Sequence, residues 1–301
     1  MKLRFLNREL ELDGRYLTTE LRDANEFLTD RTALRKRMEE DGYLLIRGLH
    51  DREAVAAARH EILEKLHERG MLAPDHPIQE GFYNPGYQEP VSTSAMANRE
   101  LIRSGAFQAV VAGTPVLEFF ASFLGGPARS FDFHWLRTVG TGAESSIHYD
   151  AVFMNRGTRQ LYSCWSPLGD LSLEMGPLVL CLGSHRFEEV KESYGRADVD
   201  RDLIAGHFSE DPVEIVDKFG GCWATTNFEM GDVVIFGMHT MHASLPNLSE
   251  KLRISVDSRY QLASDPIDER WVGTDPKGHY AWRKAEAEIE PLDVSRARWG
   301  V

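Results

Sequence analysis

The sequence predicts a mainly β protein with flanking helices. The run Val233 to Phe236 is short, apolar and rich in β-branched residues, which is typical of a buried strand. Residues 252–260 alternate strictly between apolar and polar side chains, as in a strand with two different faces. The length of 301 residues suits one large barrel or sandwich with helical additions. We therefore expect a single domain that spans residues 1–301.

The composition narrows the classes of partner. Apolar residues make up 42% of the chain and charged residues 27%, which is typical of a globular protein. The net charge of −13 speaks against nucleic acid or an anionic membrane as the main partner, because those attract basic surfaces. The N-terminus lacks the apolar core of a signal peptide, and we expect no membrane helix. We expect a cytoplasmic monomer or homodimer with three reduced thiols, at Cys164, Cys181 and Cys222.

Residues 1–128 are predicted to form helical and strand additions to the core. The charged segment 31–40 predicts a helix that stops at Asp41-Gly42, and 43–46 is apolar enough for a buried strand. Asp51 is expected to cap a helix that runs to about Glu68. Further along, the sequence predicts a long loop at 71–90 and helices at 98–107 and 115–124.

The β core is expected at about residues 129–262. Candidate strands occupy 130–138, 161–168 and 178–182, whereas the highly charged segment 186–218 indicates an insertion between strands. The tail, 263–301, contains several aromatic residues and is expected to wrap around the core rather than be disordered.

Three residues form a candidate metal site. His148 and Asp150 are two residues apart, so that on a strand both side chains point to the same side. His242, shortly after the buried run 233–236, can supply a third ligand. Two imidazoles and one carboxylate form the facial triad of non-heme iron(II) oxygenases, which leaves coordination positions open for co-substrate and dioxygen. The sequence therefore predicts an iron site at His148, Asp150 and His242, although histidines can also be core residues.

A cationic residue follows the second histidine of this candidate site. Arg253 comes eleven residues after His242 and lies on the alternating strand, where its planar guanidinium could bind a carboxylate. For an arbitrary strand, a polar face exposed to solvent is the simpler interpretation.

These motifs resemble one family. The patterns His148-x-Asp150 and His242-x-Ser244-x-x-Asn247-x-Ser249-x-x-x-Arg253 resemble the phytanoyl-CoA dioxygenase-like branch of iron(II)- and 2-oxoglutarate-dependent oxygenases. Accessory segments that agree with it, at 41–48, 176–185 and 231–236, extend the resemblance over about residues 35–262. The resemblance implies a double-stranded β-helix core, that is, a cupin-like jelly roll.

The resemblance also implies a co-substrate and a reaction. Iron(II) would bind 2-oxoglutarate and dioxygen, with Arg253 and Ser244 holding the far carboxylate and Trp165 packing nearby, although a tryptophan in a barrel strand is more often simply core. The expected product is a hydroxylated small molecule, with succinate and CO2 as co-products. Related halogenases lack the carboxylate that Asp150 supplies, which favours oxygen insertion over chlorination. Desaturation, epimerisation, cyclisation and a non-catalytic metal-binding barrel stay open as alternatives.

Four residues are candidates for substrate binding. Two of them, Arg259 and Arg156, together with Arg159, suggest an anionic small molecule, although all three could equally pair with surface acids. The candidates are Arg259, Arg137, His134 and Arg156.

Overall fold

A computed structural model describes residues 1–87, 100–280 and 288–300. Within these residues, a five-stranded and a six-stranded sheet form the core, and nearly all strand pairs are antiparallel. The strands are β1 (Lys2–Phe5), β2 (Arg8–Glu11), β3 (Leu17–Thr18), β4 (Tyr43–Ile46), β5 (Ala128–Ser130), β6 (Trp135–Val139), β7 (Ser145–His148), β8 (Tyr162–Pro167), β9 (Leu178–Leu182), β10 (Cys222–Ala224), β11 (Val233–Gly237), β12 (His242–Ser244) and β13 (Arg253–Leu262). The α-helices are α1 (Arg31–Asp41), α2 (Arg52–Glu68), α3 (Gly105–Val111), α4 (Thr114–Leu124), α5 (Glu188–Glu192), α6 (Val199–Asp202), α7 (Pro212–Phe219) and α8 (Leu292–Trp299).

The two sheets have different strand orders. The larger follows β4-β11-β8-β13-β5, with β6 also paired to β13, and the smaller follows β3-β10-β9-β12-β7. Strands distant in sequence therefore lie side by side, as in a jelly roll. The predicted mainly β class with flanking helices is confirmed.

Strand β13 separates the helices from the interior of the barrel. Ile254 and Val256 belong to a hydrophobic cluster with residues of α2 and α3, and the Tyr260 ring stacks on Phe120 of α4 at 4.0 Å between centroids. The alternate side chains, from Arg253 to Arg259, therefore face the space between the sheets. Almost the whole strand is buried, so its polar face is not a solvent-exposed surface.

The N-terminal region completes both sheets. Strand β4 pairs with β11 along all four of its residues, and β3 pairs with β10. The predicted helices 31–40 and 52–68 are confirmed as α1 and α2, and the Asp51 carboxylate accepts a hydrogen bond from the Ala54 N–H at the start of α2. Helix α1 ends at Gly42, whose φ of 78° suits glycine.

Several local predictions differ from the structure. The aromatic segment predicted as one strand is divided into β5 and β6, and β7 ends at His148, so Asp150 begins a 3₁₀ turn instead of continuing the strand. The segment 186–218 contains three short helices, α5 to α7. Parts of the predicted loop 71–90, helix 98–107 and tail 263–301 lie outside the described residues.

Residues 105–124 have the length and apolar composition of a membrane span, which by itself is weak evidence for one. The structure divides the stretch into α3 and α4, and large side chains of both helices, among them Phe107, Phe120 and Phe123, are buried against the core.

Candidate metal and 2-oxoglutarate site

His148 and His242 lie side by side on neighbouring strands of the smaller sheet. They are directly paired in the register of β7 and β12, and their ring centroids are 4.2 Å apart. The Nδ1 of His148 is 2.8 Å from the Ser146 carbonyl oxygen, and that of His242 is 3.0 Å from the Thr240 carbonyl oxygen. Because a carbonyl only accepts hydrogen bonds, Nδ1 carries the proton in both rings, and Nε2 is free to bind a metal.

Asp150 offers a third candidate ligand atom. The 3₁₀ turn after β7 places its Oδ1 3.8 Å from the Nε2 of each histidine. The ligand atoms of the three residues all lie within 4.8 Å of one another, which is close enough for one ion. The donor set is the nitrogen and oxygen combination that suits iron(II).

The electrostatics of the triad favour metal binding. Burial, with the nearby His242, lowers the pKa of His148 to about 3, so the imidazole is neutral at pH 7. Burial opposes ionisation of Asp150, but the Arg259 guanidinium, both histidines and the Ser163 hydroxyl together hold the pKa of this carboxyl well below its ordinary value. Neutral imidazoles and a charged carboxylate are the forms that bind metals.

The second oxygen of Asp150 is held by the larger sheet. Arg259 donates from Nη2 to Oδ2 at 2.8 Å, and the Ser163 hydroxyl donates a short hydrogen bond to the same oxygen. The guanidinium carbon of Arg259 lies 4.3 Å from the centre of the Trp135 ring, a cation–π contact.

Arg253 and Ser255 carry buried polar atoms that lack partners. Arg253 is 3% exposed, and its Nε has no hydrogen-bond partner within the described residues; the Ser255 hydroxyl has none there either. Burial and the nearby charge of Arg137 lower the pKa of Arg253 to about 10, so it is cationic at pH 7. Because a buried unpaired donor costs about 1–3 kcal/mol, these two atoms fit a negatively charged ligand that the chain does not supply.

The other predicted 2-oxoglutarate residues face the same interior. Ser244 is two residues after His242 on β12, and its Oγ accepts a hydrogen bond from the Ser145 N–H at 2.9 Å. Trp165 is opposite Asp257 in the register of β8 and β13, so its side chain shares the inward face, where it packs edge-on against Phe228.

The candidate substrate residues separate into two groups. Arg259 contacts the triad, and Arg137 lies on the same inward face, where its Nε donates to Asp257 at 2.6 Å. His134 is on the opposite side of β13: its Nδ1 is 2.9 Å from the Ser258 hydroxyl, and its ring contacts Phe107 of α3.

Arg156 is also outside the triad. It forms two hydrogen bonds with Asp198, at 2.8 and 2.9 Å, and lines a separate cleft of about 750 Å³. Ala151 and Met154, which follow Asp150 in the chain, line that cleft too, and Phe153 between them contacts the His148 ring.

Sequence reasoning did not identify Ser163 or Ser255 as site residues. The alternation of polar and apolar residues along β13 already placed Ser255 on the same face as Arg253, and this pattern could have identified it. For Ser163 the sequence contains no signal, because its contact with Asp150 depends on the pairing of β8 with β13.

Comparisons with known proteins agree with this site. The family profile described as "Phytanoyl-CoA dioxygenase (PhyH)" matches residues 38–255. The chain is 27% identical over 263 residues to 1-deoxypentalenic acid 11-beta-hydroxylase from Streptomyces exfoliatus, covering 80% of this chain and 85% of the relative. It is 26% identical over 267 residues to ectoine dioxygenase from Bordetella parapertussis, and the match covers 85% of this chain and 83% of the relative.

A solved structure is similar in fold. The epimerase SnoN, solved with Fe3+, alpha ketoglutarate and nogalamycin RO, matches with a TM-score of 0.54 and 21% identity over 82% of this chain and 93% of its own. This similarity supports the jelly-roll assignment. Because the family match covers more than half of the chain and includes the triad, the chain belongs to the phytanoyl-CoA dioxygenase (PhyH) family and is an iron- and 2-oxoglutarate-dependent dioxygenase.

Proposed function

We propose that the chain hydroxylates a small molecule, with succinate and CO2 as co-products. In this proposal His148, Asp150 and His242 hold iron(II), and Arg253, Ser244 and Ser255 bind the far carboxylate of 2-oxoglutarate, with Trp165 beside it. The observation that carries it is the buried Arg253, a cation without a hydrogen-bonded acceptor at its Nε, on the inward face of the strand that also carries Arg259, which bonds Asp150. Charge-assisted hydrogen bonds from a guanidinium to a carboxylate would satisfy it.

When bound, iron and 2-oxoglutarate together activate dioxygen, and one oxygen atom goes to succinate while the other goes to the substrate. The chain's own groups fix the geometry. The two carbonyl contacts orient the imidazoles, and the burial of Asp150 and His242 limits the access of bulk water, while the His148 side chain is 15% exposed.

The charges of the interior favour an anionic substrate. Three guanidinium groups face the site, those of Arg137, Arg253 and Arg259, against two carboxylates, those of Asp150 and Asp257. A divalent ion and a doubly charged 2-oxoglutarate would cancel each other, which leaves an excess of one positive charge. A carboxylate on the substrate would balance it. One relative is named for its action on an acid, 1-deoxypentalenic acid.

The cysteines support the expected cytoplasmic location. Cys164, Cys181 and Cys222 are free thiols, and the first two are buried. Free thiols are typical of a reducing compartment.

An anaerobic titration tests the co-substrate assignment. Iron(II) and 2-oxoglutarate are added to purified protein, the weak visible absorption band of an iron–2-oxoglutarate chelate is recorded, and succinate is quantified after air is admitted. We expect a band and succinate from the wild type and neither from Asp150→Asn. Iron binding without a band or succinate would favour a non-catalytic metal-binding barrel and refute the proposal.

A panel of acids and their matched methyl esters tests whether the substrate is anionic. Candidate acids are compared with their methyl esters for their ability to stimulate succinate formation. We expect the acids to stimulate it at least about tenfold more, corresponding to ~1.4 kcal/mol. Equal stimulation by acids and esters would remove the anionic substrate from the proposal.

A further inference from the structure

We propose that Arg259 is a positioning residue that, together with Ser163, restricts Asp150 to binding the metal through a single oxygen, Oδ1. The inference rests on the proposed function, in which Asp150 is a metal ligand. It assigns to Arg259 a role different from substrate binding.

The two oxygens of Asp150 have different surroundings. Oδ1 lies 3.8 Å from the Nε2 of His148 and of His242 and faces the metal position. Oδ2 points to the larger sheet and accepts hydrogen bonds from Arg259 and Ser163. With two donors on Oδ2, rotation of the carboxylate toward the metal would break two buried hydrogen bonds, at a cost of about 1–3 kcal/mol each.

The sheet holds both donors in place. Arg259 on β13 and Ser163 on β8 lie directly opposite each other in the register of these paired strands, so their side chains are neighbours on the same face of the sheet. The Arg259 guanidinium is 2% exposed and lies over the Trp135 ring. A lysine could supply the charge and one donor but not the planar contact with the Trp135 ring.

The restraint would control how many coordination positions of a bound iron stay open. Two imidazoles and a carboxylate bound through one oxygen would leave three of six positions, enough for a two-point chelate of 2-oxoglutarate and for dioxygen. A carboxylate bound through both oxygens would take a fourth position and leave two. Loss of the restraint should therefore weaken 2-oxoglutarate chelation more than iron binding.

A purely structural role predicts a different result. If Arg259 only neutralised a buried charge, its variants would be less stable, but the folded fraction would bind 2-oxoglutarate normally. The position and intensity of the visible chelate band separate the two cases, because they report the ligands around the iron and not the stability of the fold.

The test compares Arg259→Met, Arg259→Lys and Ser163→Ala in the same anaerobic titration, with Arg103→Met as a control at an exposed side chain away from the site. For Arg259→Met we expect iron affinity within about tenfold of wild type, a 2-oxoglutarate dissociation constant raised by more than about tenfold, and a shifted or weakened band. Arg259→Lys should be intermediate, Ser163→Ala should change in the same direction by a smaller factor, and Arg103→Met should match the wild type.

Wild-type 2-oxoglutarate affinity and an unchanged band in Arg259→Lys and Ser163→Ala would overturn the inference. Ser163→Ala removes one hydroxyl and no charge, so it decides the question even if Arg259→Met does not fold. Absence of the band in the wild type would instead refute the proposed function, so the two failures are distinguishable.

Discussion

Arg253 and Ser255 lie two residues apart on the inward face of β13, and each carries a buried polar atom without a hydrogen-bond partner among the described residues. Further along the same face, Asp257 pairs with Arg137, and Arg259 pairs with Asp150. The Nε and Nη1 of Arg259 are also buried without partners in the part of the chain that the structure describes, so the inward face of the strand carries unpartnered donors at both ends. A carboxylate bound at Arg253 and Ser255 would complete the hydrogen bonds at that end of the strand.

Arg253→Met should improve stability and weaken co-substrate binding. A buried charge without a hydrogen-bonded acceptor is costly, so its removal should raise the free energy of unfolding of the metal-free protein by about 1 kcal/mol. The 2-oxoglutarate dissociation constant should rise about 100-fold. Thermal melting and calorimetric titration measure the two effects. Arg52→Met, which removes an exposed partner of Asp170, should leave 2-oxoglutarate affinity unchanged, and wild-type affinity in Arg253→Met would disprove the clamp.

Ser255→Ala should weaken binding and raise stability slightly. Its buried hydroxyl makes no hydrogen bond within the described chain, so its removal should raise the free energy of unfolding of the metal-free protein by about 1 kcal/mol, whereas 2-oxoglutarate affinity should fall about five- to tenfold, or ~1 kcal/mol. Ser258→Ala is the matched control, because Ser258 faces the other way and bonds His134. It should lower stability by about 1 kcal/mol and leave affinity intact. A Ser255→Ala protein that is destabilised but binds normally would contradict this assignment.

Asp150→Asn should remove iron binding. The amide keeps the shape of the carboxylate and can still accept from Arg259, but it lacks the charge that balances the metal. We expect iron affinity to fall by more than about 100-fold, together with loss of succinate formation. Equilibrium dialysis against iron(II) measures the first effect. Asp170→Asn on the exposed surface is the control, and near wild-type iron affinity in Asp150→Asn would exclude Asp150 as a ligand.

Three buried histidines should make the metal-free protein sensitive to acid. Burial lowers the pKa of His50 to about 4, and those of His134 and His148 to about 3. The unfolded chain takes up these protons near pH 6.5, so the stability that the neutral imidazoles contribute is complete above pH 6.5 and is lost progressively as the pH falls to about 3. Around pH 5 the unfolded state holds about three more protons, and the free energy of unfolding should decrease by about 4 kcal/mol per pH unit.

His50→Gln tests this slope away from the metal site. Glutamine can keep the contact with the Ser166 hydroxyl, and denaturant unfolding between pH 5 and 6 should show a slope smaller by about 1.4 kcal/mol per pH unit. His60→Gln, at an exposed position of α2, should leave the slope unchanged. An equal slope in wild type and His50→Gln would show that His50 does not contribute.

The sequence predicted those parts of the site that depend on local spacing. The interval between His148 and Asp150, and the alternation around Arg253, are properties of one short segment each, so they could be read directly. Contacts between segments far apart in sequence could not, because the partner of each residue depends on how those segments pack in the fold. The bonds of Arg259 to Asp150 and of Arg156 to Asp198 are of this kind, and so is the outward position of His134.

Strand β4 has a further role, set by its position. It covers the edge of the larger sheet, where β11 would otherwise present a row of unpaired N–H and C=O groups. An uncovered edge made of four buried apolar residues is a template for intermolecular strand pairing and aggregation. A fragment limited to residues 129–262 should therefore precipitate even though it contains the triad, and the shortest fragment that stays in solution should begin before Tyr43.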